Sequence, residues 1–66
     1  MRITDSSGEP LSIVYLAMSD EEASELIGAL EDVQRAEKGW HAHVSDASGR
    51  VEVTVYREDD PTALSQ

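Results

Sequence analysis

Residues 11–18 form an apolar run, Leu-Ser-Ile-Val-Tyr-Leu-Ala-Met, within a chain of 66 residues. Its β-branched and aromatic side chains predict a β-strand. Successive strand residues point to opposite faces, so both faces of this strand are apolar. A single-layer sheet with one helix can cover only one of them. We therefore expect the other face to meet a second molecule.

Turn and capping residues mark the other elements. Residues 1–4 are a candidate first strand, which the turn-forming sequence Asp-Ser-Ser-Gly at residues 5–8 ends. Ser19, with Glu22 three residues later, predicts a capping box at the start of a helix. This helix is expected to run to Lys38 and to end at Gly39. Residues 40–45 and 50–57 alternate apolar and polar side chains around a turn at residues 46–49, which predicts two half-buried strands.

The predicted fold is therefore α+β, with the order ββαββ. It is a single-layer, four-stranded, mostly antiparallel sheet with one helix on one face. Since the helix brings the third strand back parallel to the second, the fourth can lie between them, and we prefer the spatial order 1-2-4-3. An adjacent pair of strands 2 and 3 is the alternative. The domain should cover residues 1–58, and the acidic tail, residues 59–66, is expected to be disordered.

Two packing patterns follow from the spacing of apolar residues. A register that pairs Ser45 with Arg50 places Val44 beside Val51 and Glu52 across from His43. The helix is expected to pack on the sheet through one stripe of residues spaced by three or four, which consists of Ala23, Leu26, Ile27, Leu30 and Val33.

The position of Met18 assigns the two faces of the sheet. Met18 directly precedes the helix cap, where an apolar residue folds under the helix, and Val14 and Leu16 share its side of the strand. The opposite, open side of the sheet is a candidate interface, because it has apolar and aromatic residues with polar edges. Its residues are Ile13, Tyr15, Ala17, His41, His43, Thr54 and Tyr56. The simplest occupant is the same patch on a second copy, which makes a homodimer.

The charge balance narrows the classes of molecule that the chain is expected to bind. Fourteen acidic residues against five Lys and Arg give a net charge of −9. This argues against direct binding to nucleic acid or to an anionic membrane. The outer surface of the helix, with Glu21, Glu25 and Asp32, suits a basic or neutral protein partner, as in an antitoxin-like or immunity-like inhibitor.

Length and cysteine content point to self-association as well. A chain this short buries a thin core, and with no Cys it has neither a disulfide nor a thiolate zinc site to support it. Oligomerisation is the remaining means of stabilising so small a domain. The sequence also has no secretory leader and no run of about 20 apolar residues, so we expect a cytoplasmic protein.

His41 and His43 lie two residues apart on one strand face and, with Glu52, are weak candidates for a metal site. The same histidines could form a pH-sensitive patch or simply be surface imidazoles. The sequence contains no Gly-x-Ser-x-Gly motif, catalytic Cys or Gly-rich phosphate loop. We therefore expect a non-enzymatic protein without a cofactor.

The strand, capped helix and hairpin, together with the small size and acidity, resemble dodecins, which are flavin-binding oligomers with a β-α-β-β chain. The resemblance covers the architecture. This sequence has an additional first strand, and its tight turn at residues 46–49 differs from the long connection of that family, so no residue roles are carried over. The resemblance implies the alternative function, a small-molecule or metal-binding oligomer that uses the face around His41 and His43.

Overall fold

The computed structural model describes residues 1–36 and 39–60. In these residues the chain has an α+β fold, with one helix and a two-stranded antiparallel sheet. Helix α1 spans Asp20–Arg35, strand β1 spans His41–Ser45 and strand β2 spans Glu52–Tyr56. The predicted α+β class is confirmed. The four-stranded ββαββ sheet is not confirmed.

The start of α1 is the predicted capping box. The Ser19 hydroxyl accepts the Glu22 N–H at 3.1 Å, and the Glu22 carboxylate accepts the Ser19 N–H at 2.8 Å. Asp20 and Glu21 add negative charge to the first turn, where the helix dipole is positive. Local sequence alone therefore decides where this helix begins.

The predicted end of the helix was wrong. Helix α1 ends at Arg35, and Ala36 already has an extended conformation with a ψ of 149°. Gly39 does adopt a positive φ of 92°. Its N–H, however, donates to the carboxylate of Asp60 at 2.5 Å rather than to a helix carbonyl. Residues 37 and 38, which the prediction included in the helix, lie outside the described residues.

The predicted apolar stripe of α1 is only partly buried: Ala23, Leu26 and Val33 are half-buried, whereas Ile27 and Leu30 are exposed. Ala29 is the buried residue of the helix, while Ile27 and Leu30 are 60% and 47% exposed. The helix packs mainly on β1 and less on β2. This narrow support accommodates the small Ala29 side chain and leaves the two larger residues uncovered.

The hairpin pairs its strands two residues away from the predicted register. Val44 lies opposite Val53, and His43 lies opposite Thr54. The Asp46 N–H donates to the Val51 carbonyl at 3.0 Å, so Asp46 joins the ladder and the four-residue loop moves one position along the chain, to residues 47–50. A shift of two residues leaves every side chain on its predicted face.

The Asp46 carboxylate organises this loop. It accepts the Ser48 hydroxyl at 2.8 Å and the Val51 N–H at 3.3 Å. These hydrogen bonds, that of Ser48 first, hold the pKa of Asp46 below its ordinary value of 3.8. Asp5 organises the first turn similarly, accepting the N–H groups of Ser7 and Glu9 at 2.8 and 3.0 Å.

The N-terminal third of the chain does not form the two predicted strands. Thr4 and Pro10 make one isolated antiparallel bridge, and the Leu11 N–H donates to the Ile3 carbonyl at 2.7 Å. Beyond this point residues 12–17 make no backbone-to-backbone hydrogen bond within the described part of the chain. A strand is defined by its ladder, so without a bonded neighbour this segment is not one.

The apolar core is thin. Among the residues that the structure describes, only Val44 and Ala29 are buried apolar residues, at 5% and 7% exposure. The structure describes the predicted tail as far as Asp60, whose side chain is buried. The remainder of that tail, residues 61–66, lies outside the described residues.

The capping box predicts a specific loss of stability. Replacing Ser19 by Ala should lower the free energy of unfolding by about 1 kcal/mol, because the Glu22 N–H loses its acceptor. Ser24→Ala, at an exposed position inside α1, should leave stability unchanged or slightly higher. Urea unfolding followed by far-UV circular dichroism measures both. An equal loss in the two variants would contradict this role for Ser19.

Candidate functional site

Residues 11–16, which we call the apolar segment, expose five large apolar side chains. Leu11, Ile13, Val14, Tyr15 and Leu16 are between 42% and 91% exposed. Ile13 and Tyr15 are the most exposed of them, at 71% and 91%. The alternation expected for a strand is therefore present in the side chains, although the segment has no ladder.

Contacts near its two ends place the apolar segment relative to the hairpin. At the C-terminal end of β2, the Met1 amine pairs with the Glu58 carboxylate at 2.9 Å, and the bridge between Thr4 and Pro10 returns the chain from there. At the other end of the hairpin, Leu16 lines an open groove of about 280 Å³ together with Val44 of β1 and Val53 of β2. The segment thus begins near the C-terminal end of β2 and ends near the loop that joins the two strands.

The ion pair at Met1 is a feature that the sequence analysis missed. The Met1 amine, by its hydrogen bond and its charge, holds the pKa of Glu58 below its ordinary value. Both groups are well exposed, so this pair positions the N-terminal residues more than it stabilises the fold. Periodicity and motif spacing contain no signal for a contact made by a chain terminus.

The open sheet face is the side of the hairpin opposite α1. His41 lies opposite Tyr56 and His43 opposite Thr54 on this face, while Val44, on the other face, is buried. Four of the seven predicted interface residues are therefore brought together here. The other three, Ile13, Tyr15 and Ala17, precede α1 and are not part of the sheet.

A polar cluster occupies the centre of the open sheet face. The Nδ1 atom of His43 lies 2.5 Å from the Glu52 carboxylate and 2.9 Å from the Thr54 hydroxyl. The Thr54 hydroxyl also donates to Glu52 at 3.2 Å. Glu52 reaches His43 along a diagonal of the ladder, since the residue directly opposite His43 is Thr54.

The two histidine rings contact each other. Their centroids are 4.7 Å apart, and their planes are almost perpendicular, at 84°. Among residues 1–36 and 39–60, no three side chains of the types that bind metals come together. The predicted candidates His41, His43 and Glu52 therefore supply two adjacent imidazoles, with the carboxylate bonded to one of them.

The acidic surface of α1 has no paired charges in the described residues. Glu21, Glu25 and Asp32 are exposed, and none of the ion pairs formed by residues 1–36 and 39–60 includes them. They lie on the helix, whereas the open sheet face is on the other side of the hairpin. The negative potential and the open sheet face are thus on different sides of the molecule.

Comparisons with known proteins were negative: no family model, curated protein or solved structure matches this chain. Within the described residues, the structure contains no helix that is both long and apolar enough to span a membrane.

Proposed function

We propose that this chain is a small, acidic, non-enzymatic interaction module that functions as a homodimer through its open sheet face. The observation that supports this most directly is the exposure of Ile13 and Tyr15, at 71% and 91%, which strand parity assigns to that face. Contiguous exposed apolar surface in a small protein marks a contact with another molecule. A second copy is the occupant that requires no further component.

The distribution of charge favours this face for self-association. At a net charge of −9, two copies repel each other, and most strongly where their acidic helices approach. The open sheet face of the hairpin has one acidic residue, Glu52, whose carboxylate contacts the His43 ring. Two open sheet faces can therefore meet while the helices point away from each other.

We further propose that the apolar segment becomes a strand when the module assembles. The start of the segment lies near the C-terminal end of β2, and this supports the order 1-2-4-3, in which predicted strand 2, residues 11–18, is the neighbour of predicted strand 4, the observed β2. Pairing would place Ile13, Tyr15 and Ala17 on the open sheet face with the histidines. It would also turn Val14 and Leu16 toward the helix side, where Ile27 and Leu30 are half exposed. Complete burial stabilises such a side chain by about 1.5–3 kcal/mol.

The acidic surface of α1 supports a second partner, a basic protein that this module binds and inhibits in the manner of an antitoxin or immunity protein. Glu21, Glu25 and Asp32 have no charged neighbour in the described residues that neutralises them. Unpaired surface charges of one sign raise the association rate with a partner of the opposite sign.

The homodimer is tested by mass in solution. At micromolar concentration in metal-free buffer, light scattering should give the mass of two chains. Tyr15→Glu should weaken the dimer by roughly 30-fold or more, because a central aromatic residue contributes about 2 kcal/mol or more to an interface. Ser24→Glu adds the same charge on α1 and should leave the dimer intact. A wild-type chain that stays monomeric would contradict the homodimer.

The added strand is tested by nuclear magnetic resonance. Hα–Hα contacts should join residues 11–17 to β2, and alternate amides of the segment should exchange slowly with solvent, because ladder hydrogen bonds protect them. The Hα–Hα contacts within the β1–β2 ladder, at or beside the pair Val44 and Val53, are the internal control. Contacts to β1 instead would favour the alternative strand order, and unprotected amides without contacts would exclude a strand.

The basic partner is tested by capture from the native cell. Glu25→Lys combined with Asp32→Lys should lose a basic protein that the wild-type chain retains, and the wild-type complex should form more slowly at high salt. Glu9→Lys combined with Asp59→Lys changes the net charge equally away from the helix, and should retain it. If both double variants captured the basic protein equally well, the acidic helix surface would have no role in binding it.

A further inference from the structure

Glu52 orients the His43 ring as a carboxylate partner orients a metal-binding histidine. A carboxylate can only accept hydrogen bonds, so the contact between Nδ1 and Glu52 at 2.5 Å places the proton of the neutral ring on Nδ1. The lone pair is then on Nε2, at the other side of a ring whose side chain is 49% exposed. A histidine that donates its second N–H to a carboxylate is the usual arrangement of a metal ligand.

The relative position of the two rings also fits a shared metal ion. Two imidazoles bound to one tetrahedral zinc, with Zn–N distances of about 2.0–2.1 Å, place their ring centroids roughly 5 Å apart. The centroids of His41 and His43 are 4.7 Å apart. The strand therefore presents both rings at nearly the separation that a single ion requires, because residues two apart lie on one face.

One copy of the chain supplies only half of such a site. Structural zinc sites have four protein ligands, and the described residues contain no group of three that could hold a metal. The open sheet face is, however, the face through which we propose that two copies meet. A two-fold axis through this face would bring the same two histidines from each copy together.

We propose that the homodimer binds one zinc ion at its two-fold axis, with His41 and His43 of both copies as the four ligands and Glu52 as the partner that orients His43. This inference rests on the proposed homodimer. It also changes the role that the sequence suggested for Glu52, from a metal ligand to a hydrogen-bond acceptor for a ligand. The zinc would join the two copies at a face where the thin core of each chain leaves little other support.

Zinc chloride titrated into the untagged wild-type chain tests the proposal. Calorimetry and native mass spectrometry should give one zinc per two chains. His41→Ala and His43→Ala should each weaken binding by more than 100-fold, since either substitution removes two of the four ligands from the dimer. Glu52→Ala should weaken it by about 10–100-fold, as loss of an orienting partner does. Ser45→Ala, on the same face of β1, should bind zinc as the wild type does.

The outcomes separate this inference from the proposed function. A dimer in metal-free buffer that takes up no zinc would overturn the zinc site and leave the homodimer standing. A monomer that takes up no zinc would overturn both proposals. One zinc per single chain, or unchanged binding in both histidine variants, would overturn the shared site. Circular dichroism of each variant without metal separates a lost ligand from a lost fold.

Discussion

The packing of α1 on β1 is the contact on which the rest of this structure depends. It buries Ala29 and Val44, the two apolar residues of the described chain that reach low exposure. Because the helix packs mainly on one strand of a two-stranded sheet, it leaves its larger residues, Ile27 and Leu30, partly in solvent. A chain of this size has few other ways to bury apolar surface. The exposed apolar segment and the open sheet face are consequences of that shortage.

Hydrogen bonding imposes a related constraint at the edge of the sheet. In the sheet formed by residues 1–36 and 39–60, β2 is an edge strand, and unpaired edges are sites where another strand can add. The apolar segment begins near the C-terminal end of this edge, where Met1 pairs with Glu58, and its other end lines the groove beside Val44 and Val53. The acidic charge on α1 supports the proposal that two copies would meet through the open sheet face rather than through the helix.

The sequence predicted local features well where a single short-range interaction decides them. The capping box at Ser19 and Glu22 is an example, because both hydrogen bonds lie within four residues. Prediction from the sequence was wrong where two interactions compete. The predicted register of the hairpin was wrong by two residues, because Asp46 pairs with Val51 and the four-residue loop lies one position further along the chain. The helix ends at Arg35, earlier than predicted, and the N–H of Gly39 bonds to Asp60, a residue 21 positions away.

The sequence by itself determined where the helix begins and where apolar and polar residues alternate. It also determined which face of the hairpin each side chain occupies, because a register shift of two residues keeps every side chain on the same face. Only the tertiary structure decided that Ala29 rather than Ile27 is buried, and that Glu52 bonds to Nδ1 of His43 from a diagonal position. These outcomes depend on which elements lie next to each other and at what distance. Periodicity along a chain specifies a face, whereas contact between elements specifies the partner on that face.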